Sequence, residues 1–268
     1  GLQALVFRAV VESGEALVRR IRVPSNRTGS IPIQLQVLEG DFLDHLKNER
    51  FSDGGYILQG IEFDKQGRRV AYWLHDTHPG NVLLWNPQLV STRYPAEDFL
   101  HIYRVDRPGQ VRGIPWAAPI MLALRDFNDY EDAHLLRQKI SAAFSVFVTD
   151  TEAPPELTQN QNPVIDKIEP GLIEFLPPGK DVRFAAPPGV EGYGEYVRGQ
   201  LHKIASGFGC TYEALSGDYS QVNFSSGRMG WIEFHRNIES WRWQMMIPRL
   251  CTPVWEWFLE AADLMGYN

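Results

Sequence analysis

The chain has 268 residues, 44% of them hydrophobic and 22% charged, enough apolar content to bury a sizeable core as one large domain or two small ones. A net charge of −7 and a pI of about 5.5 exclude the strongly basic balance by which proteins grip DNA phosphates. Two cysteines, Cys210 and Cys251, exclude a disulfide scaffold, and the apolar runs fall far short of a membrane span.

Residues 1 to 112 read mostly as strands and turns. Leu5 to Val11, Glu15 to Val23 and Ile31 to Leu38 are short β-prone runs, punctuated by Ser13-Gly14 and Thr28-Gly29. Asp41 to Lys47 suits a short helical turn. Gly60-Ile-Glu-Phe-Asp and Val70-Ala-Tyr-Trp-Leu flank Lys65-Gln66-Gly67, which predicts a hairpin. Asp76 to Trp85 and Pro87 to Tyr94 read as loop and extended chain, and Phe99 to Tyr103 as another strand.

The period then changes. From Gly113-Ile-Pro-Trp to about Val148 the spacing predicts one helix of more than thirty residues. Its stripe includes Ile120, Ala123, Phe127, Tyr130, Leu136, Ile140 and Phe147. Helices of that length belong in bundles or rings of packed subunits. Residues 150 to 194 are rich in Pro and Gly, with short strand candidates at Leu172 to Leu176 and Val182 to Ala185. Glu195 to Phe208 is a shorter helix ended by Gly209.

Cys210 through Gly227 is a polar, Gly-bearing loop, with Ser225 or Ser226 as the natural N-cap of the helix that follows. Trp231, Phe234, Ile238, Trp241 and Met245 mark one stripe of that helix. Five of the eight tryptophans lie between Trp231 and Trp257, more apolar surface than a solvent-facing helix needs. Pro248 and Pro253 predict a kink or break.

Signatures of catalysis are missing. His75 and His78 flank Asp76, but no third ligand converges in local sequence, so no metal site is predicted. Asp129, Glu131 and Asp132 read as a solvated helix face rather than an acid/base pair. There is no Walker loop, dinucleotide fingerprint or nucleophile elbow. No catalytic residue and no cofactor is expected. The residues leave open a structural protein, a fragment of a nucleic-acid-processing enzyme and a cellular helical scaffold. The opening Gly-Leu-Gln reads as the start of an excised or processed fragment.

Several blocks, in order, resemble the portal proteins of lambda-type tailed phages: Gln34-Leu-Gln-Val-Leu-Glu-Gly-Asp-Phe, Gly60-Ile-Glu-Phe-Asp, His78-Pro-Gly, Arg107-Pro-Gly-Gln-Val-Arg-Gly-Ile-Pro, Asp129-Tyr-Glu-Asp-Ala, Leu215-Ser-Gly-Asp-Tyr-Ser, Asn223-Phe-Ser-Ser, Glu233-Phe-His-Arg and Pro248 through Trp257. The resemblance implies an α+β, portal-type subunit. It would have a β-rich wing at 1–114, a long wing/stem helix at 115–148 and a small β-containing clip at 149–190. A stem helix at 191–209, a tunnel loop at 210–227 and a Trp-rich wing helix at 228–268 would follow. It implies that Asp218, Tyr219, Ser220, Gln221, Val222, Asn223 and Phe224 face a DNA channel. Phe127, Tyr130, Trp231, Phe234, Trp241, Trp255 and Trp257 are the candidates for subunit packing. The implied partners are further copies in a ring, commonly of twelve, double-stranded DNA, terminase, scaffold and major capsid protein, and head-completion and tail proteins. No membrane is implied, and the implied location is the portal vertex of the virion, with assembly in the host cytoplasm. The loop has no Lys or Arg. That suits a channel whose walls should not hold duplex by releasing counterions.

Overall fold

A computed structural model describes residues 1–23, 31–81, 90–142, 146–150, 180–184 and 192–266. The chain divides into two units, one of residues 1–119 with 205–268 and one of residues 120–204.

The first unit begins with a correction. Residues expected to start a strand form helix α1, Leu2–Ser13. Val6 and Val10 stand one turn apart, and both are buried, so burial of a helical stripe overrides the β preference of Val6, Val10 and Val11. Gly14 ends the helix at φ 90, where a Cβ would lie 2.5 Å from the backbone carbon of Ile114.

Strands β1 (Glu15–Arg22), β2 (Ile33–Glu39) and β8 (Phe99–Tyr103) form an antiparallel sheet ordered β2-β1-β8. Successive side chains of the central strand point to opposite faces. Ala16 and Val18 join one core with Val6, Val10, Ile102, Trp116, Met245 and Leu250. Leu17 joins the other with Leu38, Leu43, Ile61, Phe63, Tyr72, Leu74 and Phe99. A layer on each face explains why Glu15 through Val18 are all buried.

The second layer is a meander of β3 (Glu49–Arg50), β4 (Tyr56–Leu58), β5 (Ile61–Phe63), β6 (Arg69–His75) and β7 (Ser91–Pro95). The expected hairpin is β5–β6. Asp64 Oδ1 accepts the N–H groups of Gln66 (2.9 Å) and Arg68 (2.8 Å), and Gly67 takes φ 77. The helical turn expected over Asp41 to Lys47 is a single 3₁₀ turn at Gly40–Phe42.

The C-terminal helices pack on the other face. Helix α5 (Phe224–Trp241) continues as a π-helix (Arg242–Cys251) and then as α6 (Thr252–Leu264). The expected break is absent. The wider π turn relieves the clash between the Pro248 ring and the carbonyl a turn earlier, and Pro253 follows directly after that segment, in the first turn of α6.

In the second unit, helix α2 is Met121–Ala142, preceded by a 3₁₀ turn at Ala118–Ile120. It is shorter than predicted at both ends. Pro115 and Pro119 disfavour α conformation in the residues before them, and Val146–Asp150, including Phe147, is strand β9. β9 pairs antiparallel with β10 (Lys180–Phe184), close to one predicted strand, while Leu172 to Leu176 lies outside the described residues. Helix α3 is Tyr193–Phe208, and Gly209 follows it at φ 73. Within this unit Tyr130 lies 4.1 Å from Tyr196, His134 lies 4.2 Å from Tyr193, and the Tyr193 hydroxyl donates to Glu131 at 2.7 Å.

Candidate functional site

The loop that the sequence singles out is built from short-range hydrogen bonds. Helix α4 (Tyr212–Ser216) starts where the Thr211 hydroxyl accepts the Ala214 N–H at 3.2 Å, and ends at Gly217, φ 69. The Ser216 hydroxyl donates to the Tyr212 carbonyl (2.8 Å) and accepts the Asp218 N–H (3.1 Å). Asp218 accepts the Ser220 N–H through Oδ1 (3.0 Å) and the Tyr212 hydroxyl through Oδ2 (3.1 Å). The Val222 N–H reaches the Tyr219 carbonyl at 3.1 Å.

Asn223, not Ser225 or Ser226, caps α5. Its Oδ1 accepts the Ser226 N–H (2.9 Å), while the Ser226 hydroxyl accepts the Asn223 N–H (3.1 Å), a reciprocal box. The sequence-based choice missed it because Ser226 is the third residue of the helix and not its cap. Val222 folds back over this turn, where a Cβ on Gly227 would meet its Cγ1 at 2.8 Å. Phe224 therefore belongs to the first turn of α5, and the loop ends one residue earlier.

Asp218 and Val222 are half-buried, and Ser220, Gln221 and Asn223 are exposed. Tyr219 and Phe224 are the prominent apolar groups, 65% and 84% exposed. The loop thus presents a preorganised surface of aromatic rings and neutral polar groups, with Asp218 as an acid held in place by Tyr212 and Ser220.

The packing candidates separate. Trp241 lies in the first unit's own core, 4.7 Å from Trp116 and 6.0 Å from Phe7. Trp257 is buried under the Arg20 guanidinium, 4.9 Å from its ring. Trp257 is thus almost fully covered within the chain and Trp241 partly so. Phe234 is half-buried on α5; Phe127 and Tyr130 are half-buried in the second unit. Trp231 and Trp255 are 63% and 58% exposed, stacked on His235 and Phe258 respectively. Along the predicted stripe burial rises from exposed Trp231 through half-buried Phe234, Ile238 and Trp241 to buried Met245.

A polar hub between the two sheets went unpredicted. Glu15 Oε2 receives His101 Nε2 at 2.9 Å and the Gly113 N–H at 2.8 Å, while Oε1 receives Arg112 Nε at 2.6 Å. Arg69 donates to the Tyr103 hydroxyl (2.6 Å), to the Val111 carbonyl (2.9 Å) and, at 3.4 Å, toward His101 Nδ1. Arginine has no acceptor. His101 Nδ1 must therefore accept, and its proton sits on Nε2 facing Glu15. Burial pushes His101 down from its ordinary value, against the pull of Glu15. Burial pushes the Glu15 carboxyl up, but bonds from His101 and then Arg112 outweigh it and hold the group at about 2. The hub ties residues 110–113 to β1, β6 and β8. Its signal in sequence was His101, a polar residue between Phe99 and Tyr103 on one face of an apolar strand.

His78 gains the non-local partners that local sequence lacked. Its Nε2 lies 3.3 Å from Glu39 and 3.9 Å from Asp41. Its Nδ1, however, accepts the Gly80 N–H at 3.0 Å, which places the ring proton on Nε2. A metal-binding imidazole has the reverse arrangement, with the second nitrogen donating. The trio reads as two surface carboxylates beside a neutral imidazole.

With this geometry in view, residues 1–242 match the family model described as phage portal protein, lambda family. The chain belongs to the lambda family of phage portal proteins. It is 29% identical to the "Probable portal protein" of Halomonas phage phiHAP-1, over 96% of this chain and 50% of that protein. It is 22% identical to "Portal protein B" of Escherichia phage lambda, over 63% of this chain and 37% of that protein. The chain thus spans about half the length of the first relative or less. Among solved structures, a chain in the neck of a native gene transfer agent particle, computed with C12 symmetry, superposes with a TM-score of 0.52 at 16% identity, covering 87% of this chain and 61% of that one. A chain of the native gene transfer agent virion gives 0.51 at 14% identity, covering 84% and 59%. The portal-family match includes the whole 210–224 loop and the Glu15 hub, and this α+β fold is shared with those neck and virion chains.

Proposed function

We propose that this chain forms much of the subunit of a phage portal: a ring at one capsid vertex through which the genome is packaged and ejected. The observation that carries this reading is the portal-family match running from the first strands through the loop and into the last helix system. The C12 symmetry used for the gene transfer agent neck supports a twelve-fold ring. The role is structural rather than catalytic, set in the virion, with assembly in the host cytoplasm.

In this reading the first unit is the wing, residues 120–204 supply the stem and clip, and Asp218 to Phe224 line the channel. Terminase, scaffold and major capsid protein, and head-completion and tail proteins dock on the assembled ring. The loop carries Asp218 and Glu213 but no cation, so duplex meets a ring of aromatic, neutral and acidic groups. Contacts there are weak and polar, and the DNA slides. Duplex DNA is dense in phosphate, and cationic walls would add affinity and drag.

Complementation in phage tests the loop's role. Residues 218–222 are replaced by a Gly-Ser stretch of equal length, leaving the Asn223 cap intact. Ring assembly by electron microscopy is expected to be normal, and packaged DNA per particle to fall. Normal packaging would reduce the segment to a connector. Mass measurement of the full-length protein tests the ring, and monomers at every concentration would overturn it.

A further inference from the structure

One sheet edge of the first unit lacks the devices that guard the others. Strand β3 is two residues long and charged, and β7 carries Arg93 and Pro95. At β8 the Tyr103 carbonyl takes Arg249 of the π-helix at 3.3 Å. Shortness, charge, proline and a covering helix are the usual ways an edge is kept from pairing with foreign strands. Strand β2 shows none of them along its outer side. It runs seven residues, Ile33–Glu39, in unbroken register with β1, and contains no Lys, Arg or Pro. Among the described residues, no backbone hydrogen bond leaves Gln34–Leu38 on the side away from β1.

This edge adjoins two hollows. Ile33, Leu35 and Val37 share one face of the sheet, since side chains alternate along a strand. Leu35 and Val37 line a hollow of about 560 Å³ with Leu2 of α1 and with Trp255 and Phe258 of α6. Ile33 lines a second, of about 300 Å³, with Trp257 and Leu264 of α6. Trp255 and Leu264 are 58% and 82% exposed. A helix cannot bond to the open edge, because its own N–H and C=O groups are already used. An extended chain can, and it sets alternate side chains on the face where the hollows lie.

Charge gives the direction. Exposed Arg22 stands beside Ile33, and its ion pair with Asp98 reaches only 4.0 Å. Exposed Glu39 and Asp41 stand at the other end. We propose that an extended segment of another protein adds to β2 as an antiparallel strand, aliphatic at the alternate positions that face the hollows. Its cation lies near Glu39 and Asp41, and its acid near Arg22. Pairing of β2 with β2 of a second copy is two-fold symmetric and cannot build a ring, so under the ring reading above the mate is a different segment. None of the other edge strands of the first unit is unguarded enough to serve as one.

The test uses full-length protein with p-benzoylphenylalanine in place of Gln36, irradiated as rings alone and in particles assembled by complementation. A cross-link is expected in particles and not in rings alone. Mass spectrometry should place it on a segment of another protein with aliphatic residues at alternate positions. A synthetic peptide of that segment should bind the full-length protein and slow amide exchange at residues 34–38. Methylating one alternate set of its backbone nitrogens should weaken binding about tenfold or more, and methylating the other set should not, because only one set faces β2. Leu264→Arg should weaken binding as well, with melting unchanged because that side chain is exposed. A cross-link in rings alone would make this chain its own mate. No cross-link in particles, a cross-link to a helix, equal effects of the two methylation sets, or full binding by Leu264→Arg would leave the edge without its strand. Each of these overturns the proposal with the ring intact. Protein that stays monomeric and yields no particles overturns the ring reading and the docking edge together.

Discussion

Glu15 shows what a single buried charge does in this fold. Its side chain is 3% exposed and takes donors from His101, Arg112 and Gly113. Removing one member of such a set strands the others in a low-dielectric interior. Glu15→Ala is expected to cost roughly 3–5 kcal/mol, measured by urea unfolding. The same site sets an acid limit. Glu15 titrates near 2 in the fold against 4.5 ordinarily, so its stabilisation is complete above about pH 4.5 and is lost as pH falls toward 2. That loss amounts to roughly 3 kcal/mol. His101 adds to it in the same direction. Its folded value lies below 6.5, so the unfolded chain takes up a proton first and stability declines as pH falls through 6.5. A melting temperature that holds steady from pH 7 to pH 3 would show the hub is not formed. Gly40 belongs to this hub as well, because a Cβ there would lie 2.4 Å from the Glu15 carboxylate.

At the scale of elements, the start of α5 and its far end are secured differently. Asn223 and Ser226 hold the first turn, so Asn223→Ala is expected to cost about 1 kcal/mol. It should speed amide exchange at residues 224–227 without changing the rest of the helix. Uniform protection there would mean the box is dispensable. The far end is held by aromatic packing. Trp241→Ala removes the ring that meets Trp116 and Phe7, and should cost about 3 kcal/mol or more of thermal stability. A variant that melts like the parent would contradict the position of Trp241 in the core. The π segment between these helices lets Pro248 stay within a continuous rod.

For the whole molecule, residues far apart in sequence form one unit, since residues 205–268 pack with residues 1–119. The sequence by itself determined the strands from Glu15 to Arg22 and Phe99 to Tyr103, the Asp64 hairpin, helix α3 with its glycine stop, and the family. These are local signals, a period of two or of 3.6 and a turn residue at a required position, which neighbours in sequence are enough to satisfy. Tertiary structure alone decided the rest. Leu2–Ser13 is helical because Val6 and Val10 face a sheet that forms from distant residues. Trp257 is buried and Trp241 packs half-buried against the core while Trp231 and Trp255 face outward, although all four read alike in the sequence. Glu15, Arg69, His101 and Arg112 meet only after three strands and a loop converge. Burial and partnership are properties of the packed chain, and no local pattern can state which apolar stripe or which charge will find its cover.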